Sequence, residues 1–323
     1  ILAEPQRTNL VTYSEDFTQW TKANASSVNT ITSTVISPDG VSYANKLYPI
    51  GSGSNAYIKQ TIAGDCFSMF IKKGERRWVL IYGGFANSNV WFDSENGVLG
   101  TVRSEATATV ESFGNDWYRI KILWTQNSTQ VRIYNVDGDN SLVSTGNETD
   151  GLYIWGAQLE GSYATSYIPT SGSTVTRNQD IFTRDGIGSL INSTEGVLFL
   201  EASTLENGGI NRIISLSDET NNNLIYIRFD ATASRIYGFA RGSSGSYTSL
   251  VVNSITQTNN NKIALVWDAT NFRIWINGVE SISAAINSLP VGMNTLSLTD
   301  PTSTSNFYGK VKQLQVYDTA LTD

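Results

Sequence analysis

The sequence predicts an all-β protein made of two tandem antiparallel β-sandwiches. Short runs that alternate apolar and polar residues recur from end to end, such as AYIKQTI, RRWVLIYGG, WYRIKILWT and TQVRIYNV, and clusters of Gly, Asn and Asp separate them. Charged residues make up 16% of the chain, so Asn, Ser, Thr and Gly must supply the polar surface, a composition that favours strands and turns over helices. No stretch shows a helical period of useful length.

Two dipeptides mark tight hairpins within this pattern. Asn96-Gly97 lies between strand-like residues in DSENGVL, and Asn277-Gly278 follows a strand in FRIWINGVE. Asn-Gly is the strongest short-range hairpin signal, because both residues tolerate the left-handed backbone that a two-residue turn requires. Each dipeptide therefore predicts two adjacent antiparallel strands.

The length of 323 residues suits two domains, each large enough to bury a core. After Glu160 the composition changes to GSYATSYIPTSGSTVTRNQD, which is rich in Ser, Thr and Gly. We interpret this segment as a linker that still packs on the first domain. The predicted domains are residues 1–180 and 181–323.

Composition excludes several classes of function. The formal net charge of −7 provides no basic surface for nucleic acid, and no apolar run is long enough to span a membrane. The chain has no histidine, which excludes Ser-His-Asp and Cys-His nucleophiles and histidine-ligated metals. Its single cysteine, Cys66, is either a buried apolar filler or a partly exposed thiol.

Residues 1 to about 180 resemble a known family. EPQRTNLVTYSEDFTQW, FSMFIKKG, FDSENGVLG and YIWGAQLEGSYATSYIPTSGSTVTR are similar to the jelly-roll, carbohydrate-binding-module-like domain of bacteriophage tail and appendage proteins. The resemblance implies a jelly-roll fold and a virion (phage tail or appendage) or extracellular location. It also implies that this chain, which starts at Ile1 without an initiator Met, is a piece of a longer virion protein.

The second half resembles the concanavalin A-like, laminin G-like sandwiches. KIALVWDATNFRIWINGVE, followed by FYGKVKQLQVYDTALTD, is similar to the strand–turn–strand of that family and its final strand of the form G-x-(V/I)-x-x-(V/L)-x-(V/I)-Y. The resemblance implies a concanavalin A-like fold. It implies no single function, because such sandwiches serve as lectins, adhesins, spacers and hydrolases.

Sugar binding by a β-sandwich requires aromatic rings on an open sheet face, since a pyranose stacks its C–H face on a ring while its hydroxyls need polar partners. Strand alternation gathers charged and aromatic residues that would make an odd core. These carbohydrate-binding candidates are Lys72, Trp78, Tyr82, Trp91, Asp93, Arg119 and Lys121. The alternative interpretation is a solvated face on which Lys and Arg stems cover the rings.

The second domain offers weaker candidates on neighbouring strands. One strand aligns Tyr226, Arg228 and Asp230, and another aligns Tyr237, Phe239 and Arg241. Trp267 alternates with Ile263 and Leu265 and is predicted to be core, whereas Trp275, with Arg273 and Asn277, is predicted to point outward.

The resemblance to jelly-roll modules also implies a structural calcium where the first and last strands meet. Glu15, Asp16 and Glu160 are the nearest metal candidates. The alternative is a solvated acidic turn followed by an ordinary strand end, and no D-x-D-x-D-G loop supports calcium independently. No cofactor is expected to be required, and a structural calcium ion is the one candidate.

The sequence predicts a non-catalytic carbohydrate-binding protein, whose partner is a polysaccharide or cell-surface glycan. The alternative is a structural decoration or adhesin module that contacts other virion subunits without sugar binding. Glycoside hydrolysis needs two carboxylates across the scissile bond, and no Asp or Glu pair lies beside Trp on one strand face in a recognisable motif. The chain is therefore not expected to be an enzyme.

Overall fold

A computed structural model of the chain describes residues 1–23, 28–53 and 56–320. They form two compact units, one within residues 6–178 and the other made of residues 1–5 together with the described residues from 179 onward. Regular structure in both units is β-strand, apart from single 3₁₀ turns at Phe17–Gln19 and Gly188–Leu190. The all-β prediction is confirmed.

The strands are short and follow one another closely along the chain. The first group is β1 (Leu2–Ala3), β2 (Arg7–Asn9), β3 (Thr21–Lys22), β4 (Val28–Ile36), β5 (Tyr43–Pro49), β6 (Tyr57–Gln60), β7 (Cys66–Lys72), β8 (Trp78–Tyr82), β9 (Val90–Asp93), β10 (Val98–Val102), β11 (Ala106–Ser112), β12 (Trp117–Trp124), β13 (Val131–Val136), β14 (Leu152–Glu160) and β15 (Val175–Arg177). The second group is β16 (Thr183–Arg184), β17 (Gly196–Thr204), β18 (Arg212–Ser217), β19 (Leu224–Phe229), β20 (Arg235–Arg241), β21 (Tyr247–Asn253), β22 (Asn261–Trp267), β23 (Asn271–Ile276), β24 (Val279–Ala285), β25 (Thr295–Ser297) and β26 (Gly309–Tyr317).

The unit of residues 6–178 is a sandwich of two six-stranded antiparallel sheets. Sheet I has the order β11-β12-β7-β14-β5-β4, and sheet II has the order β10-β9-β8-β13-β6-β3, while β15 and β2 form a small separate pair. Strands distant in sequence are neighbours in both sheets, as in β7 beside β14 and β8 beside β13.

The core of this unit lies between sheets I and II, because each contributes alternate residues to it. The buried residues that define it on the central strands are Phe67, Met69, Ile71, Ile120 and Ile122 from sheet I, and Val79, Ile81, Val90, Phe92 and Ile133 from sheet II. The residues between them along each strand lie on the two outer faces. Cys66 is 3% exposed, and burial raises the pKa of its thiol to about 12, which agrees with a buried filler.

The other unit is also a sandwich of two six-stranded sheets. Sheet III has the order β16-β25-β18-β19-β20-β21, and sheet IV has the order β1-β26-β17-β22-β23-β24. Leu198, Leu200 and Leu265 of sheet IV and Ile225 and Ile227 of sheet III are among the buried residues of their shared core.

Residues 1–5 belong to this second unit, which corrects the predicted domain of residues 1–180. Leu2 pairs with Lys310 and Ala3 with Gly309, so β1 extends sheet IV. Ala3 is completely buried in the core of this unit. The amino acid sequence could not show this assignment, because the pairing joins residues about three hundred positions apart.

Both Asn-Gly dipeptides lie in antiparallel hairpins, as predicted, but only Asn277-Gly278 forms a two-residue turn. Four residues, 94–97, join β9 to β10, and Asn96 does not have a positive φ. Asn277 and Gly278 have φ of 52° and 88° and join β23 to β24, as a type I′ turn requires. Gly97 has φ of 67° and closes the β9–β10 hairpin through a 2.9 Å hydrogen bond from its N–H to the Asp93 carbonyl oxygen. A Cβ atom at Gly97 would lie 2.3 Å from Cε1 of Tyr118, so both backbone angle and space require glycine here.

None of the described residues forms a helix of the length and hydropathy needed to traverse a lipid bilayer.

Candidate functional site

The seven predicted carbohydrate-binding residues lie on two faces rather than one. Trp78, Tyr82, Trp91 and Asp93 alternate with core residues of β8 and β9, so they lie on the outer face of sheet II. Lys72, Arg119 and Lys121 alternate with core residues of β7 and β12, so they lie on the outer face of sheet I. The whole core separates these faces, and the prediction of a single face is therefore wrong.

The outer face of sheet I is largely closed by the chain that follows β14. The Tyr167 ring lies 4.5 Å from that of Trp155 and 6.2 Å from that of Phe70. Arg119 is 5% exposed and donates from Nη2 to the Thr165 carbonyl oxygen at 2.7 Å. The segment that sequence analysis took as a linker thus covers the aromatic side chains here and occupies Arg119.

The two lysines of this face are engaged at its rim. Lys72 Nζ donates to the Asn115 carbonyl oxygen at 2.6 Å, and Lys121 Nζ pairs with Glu111 at 2.8 Å. Neither lysine lies beside an exposed aromatic ring surface, because the rings between the two lysines are covered. The outer side of sheet I therefore carries a second small core, which includes Phe70, Trp117 and Trp155.

Sheet II carries a different surface, which we call the aromatic–arginine face: Tyr57, Trp78, Tyr82, Arg132 and Tyr134. Strand register arranges these side chains in rows across the sheet. Tyr134 of β13 is the partner of Tyr57 on β6, and Arg132 is the partner of Tyr82 on β8. Tyr57, Trp78, Tyr82 and Arg132 are each half-buried, so they remain accessible to a ligand.

Arg132 is the organising residue of this face. Its guanidinium lies 4.6 Å from the centroid of the Tyr57 ring and 5.1 Å from that of Tyr82, a cation–π arrangement on both sides. Nη1 donates to the Tyr134 hydroxyl at 3.3 Å, and Nε has no acceptor. Among the residues that the structure describes, no carboxylate forms an ion pair with Arg132.

At neutral pH the Arg132 guanidinium is charged and the Tyr134 hydroxyl is protonated. Partial burial disfavours the Arg132 cation, but the Tyr134 hydroxyl and the neighbouring phenols outweigh it and raise the pKa of Arg132. Burial raises the pKa of the Tyr134 phenol, so its hydroxyl keeps its proton. Lys59, the cross-strand partner of Arg132 on β6, adds a second positive charge to the same row.

Trp78 forms the other end of the face. Beside it lies a cleft of about 410 Å³ lined by Glu75, Arg76, Arg77, Trp78, Val136 and Asp137. The Arg77 guanidinium lies 5.6 Å from the Trp78 ring centroid, and Arg76 pairs with Asp137. The cleft therefore combines one indole with donors and acceptors of both charges.

Trp91 and Asp93 lie at the same sheet face but have structural roles. Trp91 is 2% exposed, and its Nε1 donates to the Ser141 carbonyl oxygen at 2.7 Å. Asp93 is equally buried and accepts hydrogen bonds from the Glu95 N–H at 3.1 Å and from Asn96 Nδ2 at 2.8 Å, which close the β9–β10 turn. Both side chains are already occupied by protein partners.

The sequence alone did not indicate a role for Tyr57, Lys59, Arg132 and Tyr134. The alternation that places each pair on one side of its strand is visible in AYIKQTI and TQVRIYNV. What could not be seen is that β6 and β13, more than 70 residues apart, are neighbours in sheet II.

The three metal candidates are each engaged by protein groups. Glu160 is 1% exposed and accepts from Gln158 Nε2 and from the Thr165 N–H and hydroxyl. Asp16 caps the turn at Phe17–Gln19 by accepting from the Thr18 N–H at 3.1 Å. Burial raises the pKa of the Glu15 carboxyl, which accepts from the Tyr167 hydroxyl.

No group of three or more Asp, Glu, Cys or His side chains among the described residues is close enough to hold a metal ion. Glu15, Asp16 and Glu160 are thus not gathered into an acidic ligand cluster. Calcium binding stays a prediction.

In the second unit, Trp267 is fully buried and its Nε1 donates to the Asn192 carbonyl oxygen at 3.2 Å, whereas Trp275 is half-buried on the outer face of sheet IV, as predicted. Asp230 is shared by Arg228 at 3.0 Å and Arg235 at 2.6 Å. The Arg228 guanidinium lies 3.9 Å from the Tyr237 ring centroid. Both arginines of this cluster thus have an ionic partner, which they share.

Comparison with known proteins bears on the second unit. Residues 203–323 match the sequence model of the concanavalin A-like lectin/glucanases superfamily. The match spans the C-terminal part of the chain, where sequence analysis found its laminin G-like strands. No curated protein sequence gives a significant match.

Three solved structures with a likeness to this chain are distant from it in sequence. A CBM40 domain of the Ruminococcus gnavus IT-sialidase, bound to α2,3-sialyllactose, is 16% identical and covers 40% of this chain and 78% of its own, with a TM-score of 0.35. The chicken-liver agglutinin CG-16 is 10% identical over 42% of this chain and 99% of its own, with a TM-score of 0.31.

An alginate lyase from Alteromonas sp. 272 is 15% identical over 43% of this chain and 75% of its own, with a TM-score of 0.27. At these values the likenesses carry no argument about the site or its chemistry.

Proposed function

We propose that this chain is a non-catalytic carbohydrate-binding protein and that the aromatic–arginine face of sheet II is its binding surface. A saccharide would lie across β8, β13 and β6, with its C–H surface against Trp78 and Tyr82 and its hydroxyls against Arg132 and the tyrosine hydroxyls. Rings combined with a few fixed polar groups are typical of small-molecule sites.

The observation that carries this proposal is the environment of Arg132, which has aromatic neighbours but no carboxylate partner among the described residues. Its guanidinium is held between two tyrosine rings, and no carboxylate pairs with it within the described part of the chain. The Nε atom itself is enclosed, but Arg132 is only half-buried, so the accessible edge of the guanidinium can donate to a ligand. Sugar hydroxyls and carboxylates offer the acceptors that this edge can use.

The biological setting in the proposal comes from sequence resemblance. Because residues 1 to about 180 resemble phage tail and appendage modules, we place this chain in a virion or on an extracellular surface, with a bacterial surface or environmental polysaccharide as partner. Other virion subunits are the second class of partner in this proposal. The proposal also includes the absence of catalysis. Asp93, the acidic candidate on this face, accepts hydrogen bonds from Glu95 and Asn96 within the β9–β10 turn.

The test is binding of the full chain to an array of bacterial and environmental polysaccharides, repeated with Trp78→Ala and Tyr82→Ala. Trp275→Ala is the matched control, because its indole is also half-buried on an outer face, that of sheet IV. We expect the first two variants to weaken binding about tenfold, or about 1.4 kcal/mol each, with the control unchanged.

Two results would reject the proposal. Unchanged affinity for every polysaccharide that the chain binds, after both substitutions, would place the saccharide elsewhere on the chain. A chain that binds nothing across the array, while its melting temperature shows that it is folded, would favour the structural decoration role.

A further inference from the structure

A stack of three aromatic rings crosses the outer face of sheet III, and we call Tyr226, Phe239 and Tyr247 the ring stack. The Tyr226 and Phe239 rings are 4.6 Å apart at an interplanar angle of 8°, and the Phe239 and Tyr247 rings are 5.3 Å apart at 19°. Three adjacent strands, β19, β20 and β21, contribute one ring each.

The ring stack does not belong to the core of its unit. Core residues Ile225, Ile227, Ala240 and Leu250 alternate with the stacked residues along these strands, which directs the rings to the opposite side of the sheet. Tyr247 is 57% exposed and lies on β21, the edge strand of sheet III. Its neighbour Phe239 covers one side of the Tyr247 ring, so the free ring surface of the stack is the other side of Tyr247.

The residue opposite Tyr247 on the neighbouring strand is a cation without an ionic partner among the described residues. Arg241 on β20 is the cross-strand partner of Tyr247, and both side chains lie on the outer face. No residue in the described ranges forms an ion pair or hydrogen bond with the Arg241 side chain, and its Nε is buried without an acceptor. Arg228 and Arg235 on the same face differ, since both pair with Asp230.

The backbone around Tyr247 is fixed and its rim is polar. Asn287 Nδ2 donates to the Tyr247 carbonyl oxygen at 2.7 Å, and the Asn287 N–H donates to the Thr248 hydroxyl at 2.8 Å. The β20–β21 hairpin, residues 242–246, has the sequence GSSGS, and its three serines are exposed. A ring surface, an unpaired guanidinium and hydroxyls therefore meet at one end of sheet III.

We propose that the Tyr247 end of the ring stack is a second saccharide-binding site, specific for sugar rings that bear a carboxylate or sulfate. The C–H surface of the pyranose lies on the free side of Tyr247, the anion accepts from Arg241, and the hairpin serines bond the hydroxyls. Arg241 favours an anion because no carboxylate of the described residues pairs with it, and a planar guanidinium suits bidentate recognition of such groups.

This proposal goes beyond the one for sheet II and needs none of its residues. The experiment measures binding of the full chain to three probes: a polyuronate, a sulfated dextran and neutral dextran. The variants are Tyr247→Ala, Arg241→Gln and Arg241→Lys. The controls are Tyr43→Ala, at a tyrosine that is 53% exposed, and Lys310→Gln, at an exposed lysine of the unit that contains Arg241. Each variant is also made with Trp78→Ala.

We expect Tyr247→Ala and Arg241→Gln to weaken binding of an anionic probe about tenfold, with and without Trp78→Ala. Arg241→Lys should recover part of the loss because it keeps the charge but not the planar fork. The polyuronate and sulfated arms identify which anion the site takes. Controls should bind as the unchanged chain does.

The proposal is overturned if neither anionic probe binds in the Trp78→Ala background, or if Tyr247→Ala and Arg241→Gln leave that binding unchanged. Equal loss with neutral dextran would overturn its anion specificity. Failure of the sheet II proposal gives a different pattern, in which Trp78→Ala and Tyr82→Ala have no effect while Tyr247→Ala does.

Discussion

The guanidinium of Arg132 lies 4.6 Å from the centroid of the Tyr57 ring, although the two residues belong to strands separated by more than 70 positions. The ring fixes the plane of the guanidinium through a cation–π contact, and the pairing of β6 with β13 fixes the ring. A donor held in this way loses little further freedom when a ligand binds, which favours affinity.

Substitution of Arg132 should therefore affect binding more than folding. Arg132→Gln removes the charge and the planar fork, and we expect polysaccharide affinity to fall about tenfold or more, since hydrogen bonds to charged groups contribute about 1.5–3 kcal/mol. Arg132→Lys should recover little, because an ammonium cannot reproduce the stacked fork. Titration calorimetry with the polysaccharide found on the array measures both. Full affinity in Arg132→Gln would remove Arg132 from the site.

Trp91 provides the opposite case. The sequence predicted a ligand contact at Trp91, but the indole is buried and hydrogen-bonded to Ser141. Trp91→Ala should therefore lower the free energy of unfolding by about 3–5 kcal/mol through the cavity it leaves. Chemical denaturation measures this loss. At a temperature where the variant is folded, its polysaccharide affinity should match that of the unchanged chain, and a selective loss of affinity would return Trp91 to the site.

The place of residues 1–5 can be tested with a charge at Ala3. Ala3→Asp buries an unpaired carboxylate in the core of the second unit, where the cost is several kcal/mol. Hydrogen exchange should accelerate in β26 and β17 and stay unchanged in β7 and β8. Leu2→Ala, at a side chain that is 39% exposed, is the mild control. Acceleration in β7 and β8 would assign residues 1–5 to the first unit, as the sequence predicted.

Asp39 gives the first unit an acid-dependent stability. Slight burial opposes ionisation, but hydrogen bonds from Ser37, Ser42 and Val41 outweigh it and lower the pKa of Asp39 from 3.8 to about 2. Since the folded-state pKa is depressed, the contribution is present above pH 3.8 and is lost as the pH falls through 2.

Asp39→Asn should therefore destabilise the chain at pH 7 and converge with the unchanged chain near pH 2. The side chain is largely exposed, so we expect a difference of at most about 1 kcal/mol at pH 7. Urea unfolding at both pH values measures it. A difference that does not shrink on acidification would exclude the carboxylate as its source.

The sequence predicted what depends on local chemistry. Period-two alternation identified the strands and the core side of Ile120 and Val79, and Asn-Gly identified both hairpins. It also separated buried Trp267 from outward Trp275. These features depend on neighbours within a few residues, which a single sequence displays.

What the sequence did not predict depends on which strands pair. Alternation placed Lys72 and Trp78 on outer faces, but it could not show that β7 and β8 belong to different sheets, which separates the two residues. Nor could it show that Tyr167 returns to cover sheet I, or that β6 brings Tyr57 and Lys59 beside Arg132. The prediction for Trp91 was wrong because alternation shows which face of the sheet a side chain points to. It does not show that the loop containing Ser141 covers that side chain.

The most direct test of the account is a hydrogen-exchange footprint of the full chain with and without the polysaccharide that it binds on the array. We predict slower exchange in β6, β8 and β13, whose outer side chains form the aromatic–arginine face, and no change in β7 and β12 of sheet I. A footprint on β7 and β12, or none on β6, β8 and β13 at saturating polysaccharide, would contradict it.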